Sequence, residues 1–180
     1  NNNITLERGD TISYNHMVVA PGLKLNFDAV EGLEDAIGKN GVTSNYVRES
    51  APYTWQCVQN FKGGKAIFTQ PPLPFKCAGA PQKAMYLSCN EWEKKGILKD
   101  ADVEFCNAGP ALFGVAEYIP PLMEFVERYG TNLSFGKNLI KVDGENQVAT
   151  FAVTDADGNV TNVEEKFDIL HVCPPQCSPD

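Results

Sequence analysis

No apolar run in the sequence approaches the roughly 18 to 20 residues that cross a bilayer. The opening residues, Asn1-Asn2-Asn3-Ile4-Thr5, lack the basic and apolar regions of a secretory signal. Neither membrane insertion nor export is therefore expected of this stretch. Basic residues are also in deficit: 15 Lys and Arg against 23 Asp and Glu leave a formal net charge of −8. Such a chain repels a phosphate backbone, which argues against nucleic acid as a partner. Histidine occurs only twice, as His16 and His171, and no Cys or His pairs lie at zinc-site spacing, so no metal is expected. Six cysteines in 180 residues are too few for a disulfide-stapled miniprotein, and they read as reduced thiols unless one is reactive. The triplets at Asn3, Asn132 and Asn159 fit a glycosylation acceptor but carry little weight without a secretory signal.

What is present is a foldable core. A 43% hydrophobic, 21% charged chain of this length excludes a disordered tail and fits one domain with a piece of another. Short strands are expected at Ile4 to Glu7, Thr11 to Tyr14 and Met17 to Ala20, the last running into Pro21-Gly22. Leu23 to about Glu49 is polar and punctuated by Gly32, Gly38 and Gly41, and reads as a linker or surface excursion. From Ala51 the pattern turns α/β. A helix carries Trp55, Val58 and Phe61 and ends at Gly63-Gly64, and Lys65 to Thr69 is a buried strand. A helix opened by Pro81 carries Met85, Cys89 and Trp92, and Val103 to Cys106 is the next strand. A third helix repeats Ile119, Leu122, Met123, Val126 and Tyr129.

After Gly130 the period becomes two. Asn132 to Phe135, Leu139 to Val142, Val148 to Val153 and Val160 to Lys166 read as an antiparallel meander with turns at Asp143-Gly144 and Asp157-Gly158. Asp168 to Val172 is a last buried strand. This order describes a Rossmann-like three-layer α/β domain, a parallel sheet in which an antiparallel β-meander replaces one crossover helix. The expected division is 1–45 as edge strands and linker, 46–173 as the Rossmann-like domain, and 174–180 as an exit segment.

The loop after the first Rossmann strand normally receives a dinucleotide pyrophosphate. Here it reads Gln70-Pro71-Pro72-Leu73-Pro74-Phe75-Lys76-Cys77-Ala78-Gly79-Ala80-Pro81. Four prolines remove four backbone donors and one glycine stands in place of three, so NADH is not expected to bind. The loop instead sets Cys77 ahead of a helix N-terminus, with Lys76 beside it and Lys83 six residues on. Helix dipole and lysines would favour an anionic, nucleophilic sulfur. The same residues also allow Cys77 to be an inert small residue in a bend. Cys57, Cys89 and Cys106 read as core residues, His16 as partly exposed, and His171 as a core imidazole. Cys173 and Cys177 end a strand at three-residue spacing, which is not the two-residue redox motif. Asp155-Ala156-Asp157-Gly158-Asn159 lacks the glycine and terminal glutamate of a calcium loop and reads as a hairpin turn.

Lys76-Cys77-Ala78-Gly79-Ala80-Pro81-Gln82-Lys83, with Gly64 to Thr69 before it and Met85-Tyr86-Leu87-Ser88 after, closely resembles a stretch of the sulfide:quinone oxidoreductases of mitochondrial-like type. So do Phe113-Gly114-Val115 with Tyr118, Lys137 to Ile140, and Leu170-His171-Val172 with Pro174-Pro175 and Pro179-Asp180. Tyr14 to Gly22 resembles the family's second flavin-domain motif, with Pro21 in place of a threonine. The resemblance implies a fold of two dinucleotide-binding domains and a flavoprotein that oxidises sulfide to a cysteine-held sulfane sulfur and reduces a quinone, with FAD as cofactor. It implies Cys77 as one of two redox cysteines, whose anionic sulfur Lys76, Lys83 and the helix N-terminus would stabilise on the residues' own chemistry, and Ala20, Pro21 and Gly22 at the flavin. It further implies that the chain is a piece of a longer protein. The Gly-rich FAD motif, the second redox cysteine and the quinone-binding membrane region have no counterpart here. Isolated, the piece is expected to be inactive and colourless, and the whole protein to lie peripherally on a bacterial cytoplasmic or mitochondrial inner membrane. Cys173, where the family commonly has Thr, and Cys177 inherit no role. Alternatives are a non-catalytic scaffold domain or a pyridine-nucleotide-dependent flavin reductase.

Overall fold

A computed structural model describes residues 2–179. Two short strands, β1 (Asn3–Thr5) and β2 (Thr11–Ser13), form an exposed antiparallel hairpin. The chain then runs through β3 (Lys24–Leu25), a short helix α1 (Leu33–Ala36) and β4 (Val42–Thr43) into the α/β core. That core comprises α2 (Ala51–Asn60), β5 (Gly64–Gln70), α3 (Gly79–Lys94), β6 (Ala101–Asn107), α4 (Ile119–Tyr129) and β7 (Asn132–Phe135). There follow β8 (Lys137–Asp143), β9 (Val148–Thr154), β10 (Val160–Lys166), β11 (Ile169–His171) and β12 (Gln176–Cys177).

The central sheet is parallel, in the order β4-β11-β5-β6-β7, and β8, β9 and β10 form a separate antiparallel sheet. Alternation along the buried strands assigns their side chains to opposite faces. Phe68 and Phe105 join Met85 and Trp92 of α3 and Val58 of α2 in one hydrophobic cluster. Ile67, Cys106 and Leu170 face the other way, onto Leu139, Val142 and Phe151 of the antiparallel sheet and Leu33 before β4. Helices, parallel sheet and antiparallel sheet thus make the three layers. Trp92 ties α3 to α2 by donating Nε1–H to the Val58 carbonyl at 3.0 Å.

Several elements differ from the sequence reading. The segment from Leu23 to Glu49 is no linker. Val30, Leu33, Ala36 and Val42 are buried, and β4 pairs with β11 as an edge of the main sheet, so a division at residue 45 cuts this core. Its apolar residues are too few and too widely spaced to show a period, and burial comes from the strand they meet. Gly41, at φ +82, permits the approach, since a Cβ there would lie 2.1 Å from the Asp168 carbonyl oxygen. Met17 to Ala20 forms no strand. Val18 and Val19 are 92% and 69% exposed, with no neighbouring strand to pair them. Asn132–Phe135 belongs to the parallel sheet beside β6 and not to the meander, because it follows a crossover helix. Trp55 is half-exposed, and the buried face of α2 is carried by Thr54 and Val58.

Candidate functional site at the carboxyl edge of the parallel sheet

Chain direction in the sheet reverses its lateral progress at β5. From β5 the path moves through α3 to β6 and through α4 to β7, whereas β11 returns on the other flank of β5. Between the carboxyl ends of β5 and β11 the departing loops must part, which is where open α/β sheets form their crevices. The loop after β5 carries Lys76 and Cys77, the segment after β11 carries Cys173 and Gln176, and the turn after β4 carries Tyr46. Three parallel strands therefore deliver these residues to one edge.

Local chemistry sets each one. Ser44 Oγ accepts the Tyr46 N–H at 3.1 Å and turns the chain at the end of β4. The Tyr46 hydroxyl then donates to the Lys76 carbonyl at 2.9 Å, with the Cys77 carbonyl at 3.4 Å. It also meets the Cys173 thiol, the first residue after Val172. Burial, followed by the neighbouring Cys173, raises the Tyr46 phenol above its ordinary range, so it is a donor at neutral pH. Burial likewise pushes the Cys173 thiol up to about 12, which makes it an unreactive thiol. From the other side, Gln176 Oε1 accepts the Lys76 N–H at 2.6 Å. Antiparallel pairing of β12 with β3, and the bond from Asn26 N–H to the Pro175 carbonyl at 2.8 Å, hold that segment in place.

Cys77 is exposed and sits at φ +63, a left-handed conformation uncommon for a residue with a side chain. It immediately precedes Ala78, which caps α3 without a side-chain acceptor, so the positive end of a 16-residue helix opens at the cysteine. The other thiols are hidden by comparison: Cys57 and Cys177 are half-buried, and Cys89, Cys106 and Cys173 are buried. Lys76 and Lys83 are both exposed, and among the described residues neither ammonium enters an ion pair. His171, at the end of β11, is a core residue. Its Nε2 accepts the Asn45 N–H at 3.1 Å, its ring stacks on Phe68 at 5.8 Å, and burial lowers it to about 4. Asp155 closes the β9–β10 turn by accepting the Asp157 and Asn159 amides. Among the described residues no group of three or more His, Cys, Asp or Glu is arranged to hold a metal ion.

Ala20, Pro21 and Gly22 are exposed, outside any strand, and among the described residues no hydrogen bond joins them to the Cys77 loop. They lie just before β3, whose partner strand carries Gln176, so the fold brings the segment to the same edge. A Cβ added at Gly22 would meet nothing within 4 Å. Tyr46 and Gln176 escaped the sequence reading: one lies in the supposed linker and the other follows the last strand. Only the pairing of β4 and β5 with β11 makes them neighbours of Cys77.

The parallel sheet with its antiparallel companion is a Rossmann-like three-layer α/β fold that the chain shares with oxidoreductases of known structure. The structure superposes on the sulfide:quinone oxidoreductase of Aquifex aeolicus with a TM-score of 0.69 at 22% identity, covering 99% of this chain and 40% of that one. A chain of the Tetrahymena thermophila mitochondrial ATP synthase gives a TM-score of 0.78 at 20% identity, covering 99% and 44%. In sequence, the chain is 36% identical over 179 residues to the mitochondrial sulfide:quinone oxidoreductase of Mus musculus, covering 99% of this chain and 39% of the relative. It is 38% identical over 175 residues to that of Dictyostelium discoideum, covering 96% and 38%. The chain is a relative of the mitochondrial sulfide:quinone oxidoreductases and spans about two fifths of their length. No family model matches it.

Proposed function

We propose that this chain is the sulfur-handling part of a sulfide:quinone oxidoreductase, with Cys77 as the residue that holds the sulfane sulfur. The observation that carries the reading is the placement of Cys77: an exposed thiol at the switch point of the parallel sheet and at the open N-terminus of α3. Hydrosulfide and a cysteine persulfide are both anions. The helix N-terminus, with Lys76 and Lys83 on the same loop and first turns, supplies positive potential for them. Exposure lets sulfide arrive and a sulfur acceptor reach the product. FAD and a quinone belong to the same proposal as cofactor and electron acceptor of the whole protein. The chain's share of the flavin-side unit is the β1–β2 hairpin and the run to Ala20, Pro21 and Gly22. Peripheral attachment to a mitochondrial or bacterial membrane belongs to the same proposal for the whole protein, and no helix among the described residues is long and apolar enough to cross a membrane.

The test is Cys77→Ser in the flavin-loaded protein. Sulfide-dependent quinone reduction should fall by more than about 100-fold with flavin content unchanged, because a hydroxyl cannot hold a sulfane sulfur. Near-normal turnover would overturn the reading. A second reading, a non-catalytic scaffold in a mitochondrial assembly, is favoured by the likeness to a chain of the Tetrahymena ATP synthase. It predicts co-migration with a large complex and no sulfide-dependent turnover even with Cys77 intact.

A further inference from the structure

We propose that Tyr46 is a positioning residue for Cys77: its hydroxyl holds the carbonyl of the Lys76–Cys77 peptide while the Gln176 amide oxygen holds the amide of the peptide before it, and together they keep the cysteine in its left-handed conformation. The inference rests on the reading of Cys77 as the sulfur-bearing residue. Its geometric basis is a closed circuit of contacts. Tyr46 takes the Lys76 carbonyl at 2.9 Å and lies 3.4 Å from that of Cys77, while Gln176 takes the Lys76 amide at 2.6 Å. The two peptide units that flank the Lys76 Cα are thus each held by a side chain anchored elsewhere in the fold. Gln176 sits in β12, pinned to β3, and Tyr46 stands at the end of β4 against Cys173.

A residue with a Cβ does not stay at φ +63 unless its surroundings over-determine it. Nothing within the Pro-rich loop supplies that constraint. The prolines precede the site, and the first backbone bond of the helix, from the Ala80 N–H to the Cys77 carbonyl at 2.9 Å, begins after the φ in question. Tyr46 acts on the peptide before it through the Lys76 carbonyl, and Gln176 on the peptide one further back through the Lys76 amide. Clamping spends no reacting group: the phenol stays protonated and the thiol of Cys77 stays free. A cysteine that holds a sulfane sulfur, once the two electrons of sulfide oxidation have passed to the flavin and quinone of the whole protein, and then hands it to an acceptor gains from being held in one outward direction, since misplacement by an ångström costs rate steeply.

The experiment is amide hydrogen exchange on the purified protein, comparing Tyr46→Phe in the Cys77 and in the Cys77→Gly backgrounds. The amides of Lys76 and Cys77 should exchange at least about tenfold faster in Tyr46→Phe, with β5 and β11 unchanged. In the Cys77→Gly background the acceleration should be much smaller, because glycine occupies positive φ without help. Equal acceleration in both backgrounds would reduce Tyr46 to an ordinary structural contact and overturn the proposal, as would no acceleration in either. Should Tyr46→Phe loosen the sheet as well, Gln176→Met in the same two backgrounds decides by the same criterion. Exchange needs no turnover, so retained activity in Cys77→Ser ends the sulfur reading without touching this result.

Discussion

Two polar groupings inside this chain are built on opposite principles. Between the parallel and antiparallel sheets, Glu104 of β6 accepts from Lys137 Nζ at 2.7 Å, Lys65 Nζ at 2.7 Å and Ser134 Oγ at 2.6 Å. Lys137 also pairs with Glu165 and lies over the Phe151 ring at 4.8 Å. At the carboxyl edge the contacts are neutral hydrogen bonds among Tyr46, Lys76, Cys77, Cys173 and Gln176. The first grouping is ionic, buried at Glu104 and Lys137, and saturates its central carboxylate, with Glu165 Oε2 at its margin left without a partner. Burial would raise Glu104, but the bonds from Lys137, Lys65 and Ser134 outweigh it and bring the carboxyl down to about 2. The second grouping leaves buried atoms unpartnered nearby, Gln70 Oε1, His171 Nδ1 and Gln176 Nε2, and exposes a thiol on a strained backbone. A carboxylate saturated by two lysines and a hydroxyl holds two layers in register. A neutral, incompletely satisfied edge with a reactive atom facing water is what a site requires.

That contrast can be broken at either end, and the largest effect is expected in the ionic grouping. Lys137→Met should destabilise the fold by about 3 to 5 kcal/mol, because it strands Glu104 and Glu165 without their shared cation. Urea unfolding measures it, and a loss below about 1 kcal/mol would show that Lys65 and Ser134 suffice for Glu104.

Acid should separate the two regions by pH. His171 is lowered from 6.5 to about 4 by burial, so between those values the unfolded chain binds more protons than the folded one, and stability falls as pH drops through that window. The loss approaches ~3 kcal/mol by pH 4. Glu104, depressed from 4.5 to about 2, contributes stability that is present above 4.5 and is lost lower, as pH falls toward 2. Unfolding midpoints between pH 7 and 4 should therefore report His171, and a flat profile there would show that its ring is not held neutral.

Thiol labelling sharpens the other side of the comparison. Cys77, the exposed thiol, should be modified first of the six in a brief pulse of a small alkylating reagent, with Cys57 and Cys177 later and the buried three last. Peptide mass spectrometry reads the order, and early modification of Cys173 would show that the edge opens in solution. Smaller still is the expected response to NADH. The Lys76 amide is already bonded to Gln176, and four prolines lack donors, so calorimetry should register no saturable micromolar binding.

Much of this architecture could be read along the chain because it depends on local periodicity. The 3.6-residue spacing of Ile119, Leu122, Val126 and Tyr129, and the two-residue spacing from Leu139 to Val153, mark α4 and the strands β8 and β9 whatever surrounds them. Helix-opening prolines, the Asp157-Gly158 turn and the Lys76 to Lys83 octapeptide are equally local, so the position of Cys77 ahead of a helix was also written in sequence. What the sequence could not carry is any contact whose cause lies far along the chain. The segment from Leu23 to Glu49 lacks a period, yet it packs because β4 finds β11, 126 residues separating Asn45 from His171 in the bond that joins them. Tyr46 reaches Cys77 across 31 residues and Gln176 reaches Lys76 across 100. Strand pairing is a long-range choice made by burial, and only after it is made do a tyrosine, a glutamine and two cysteines become one site.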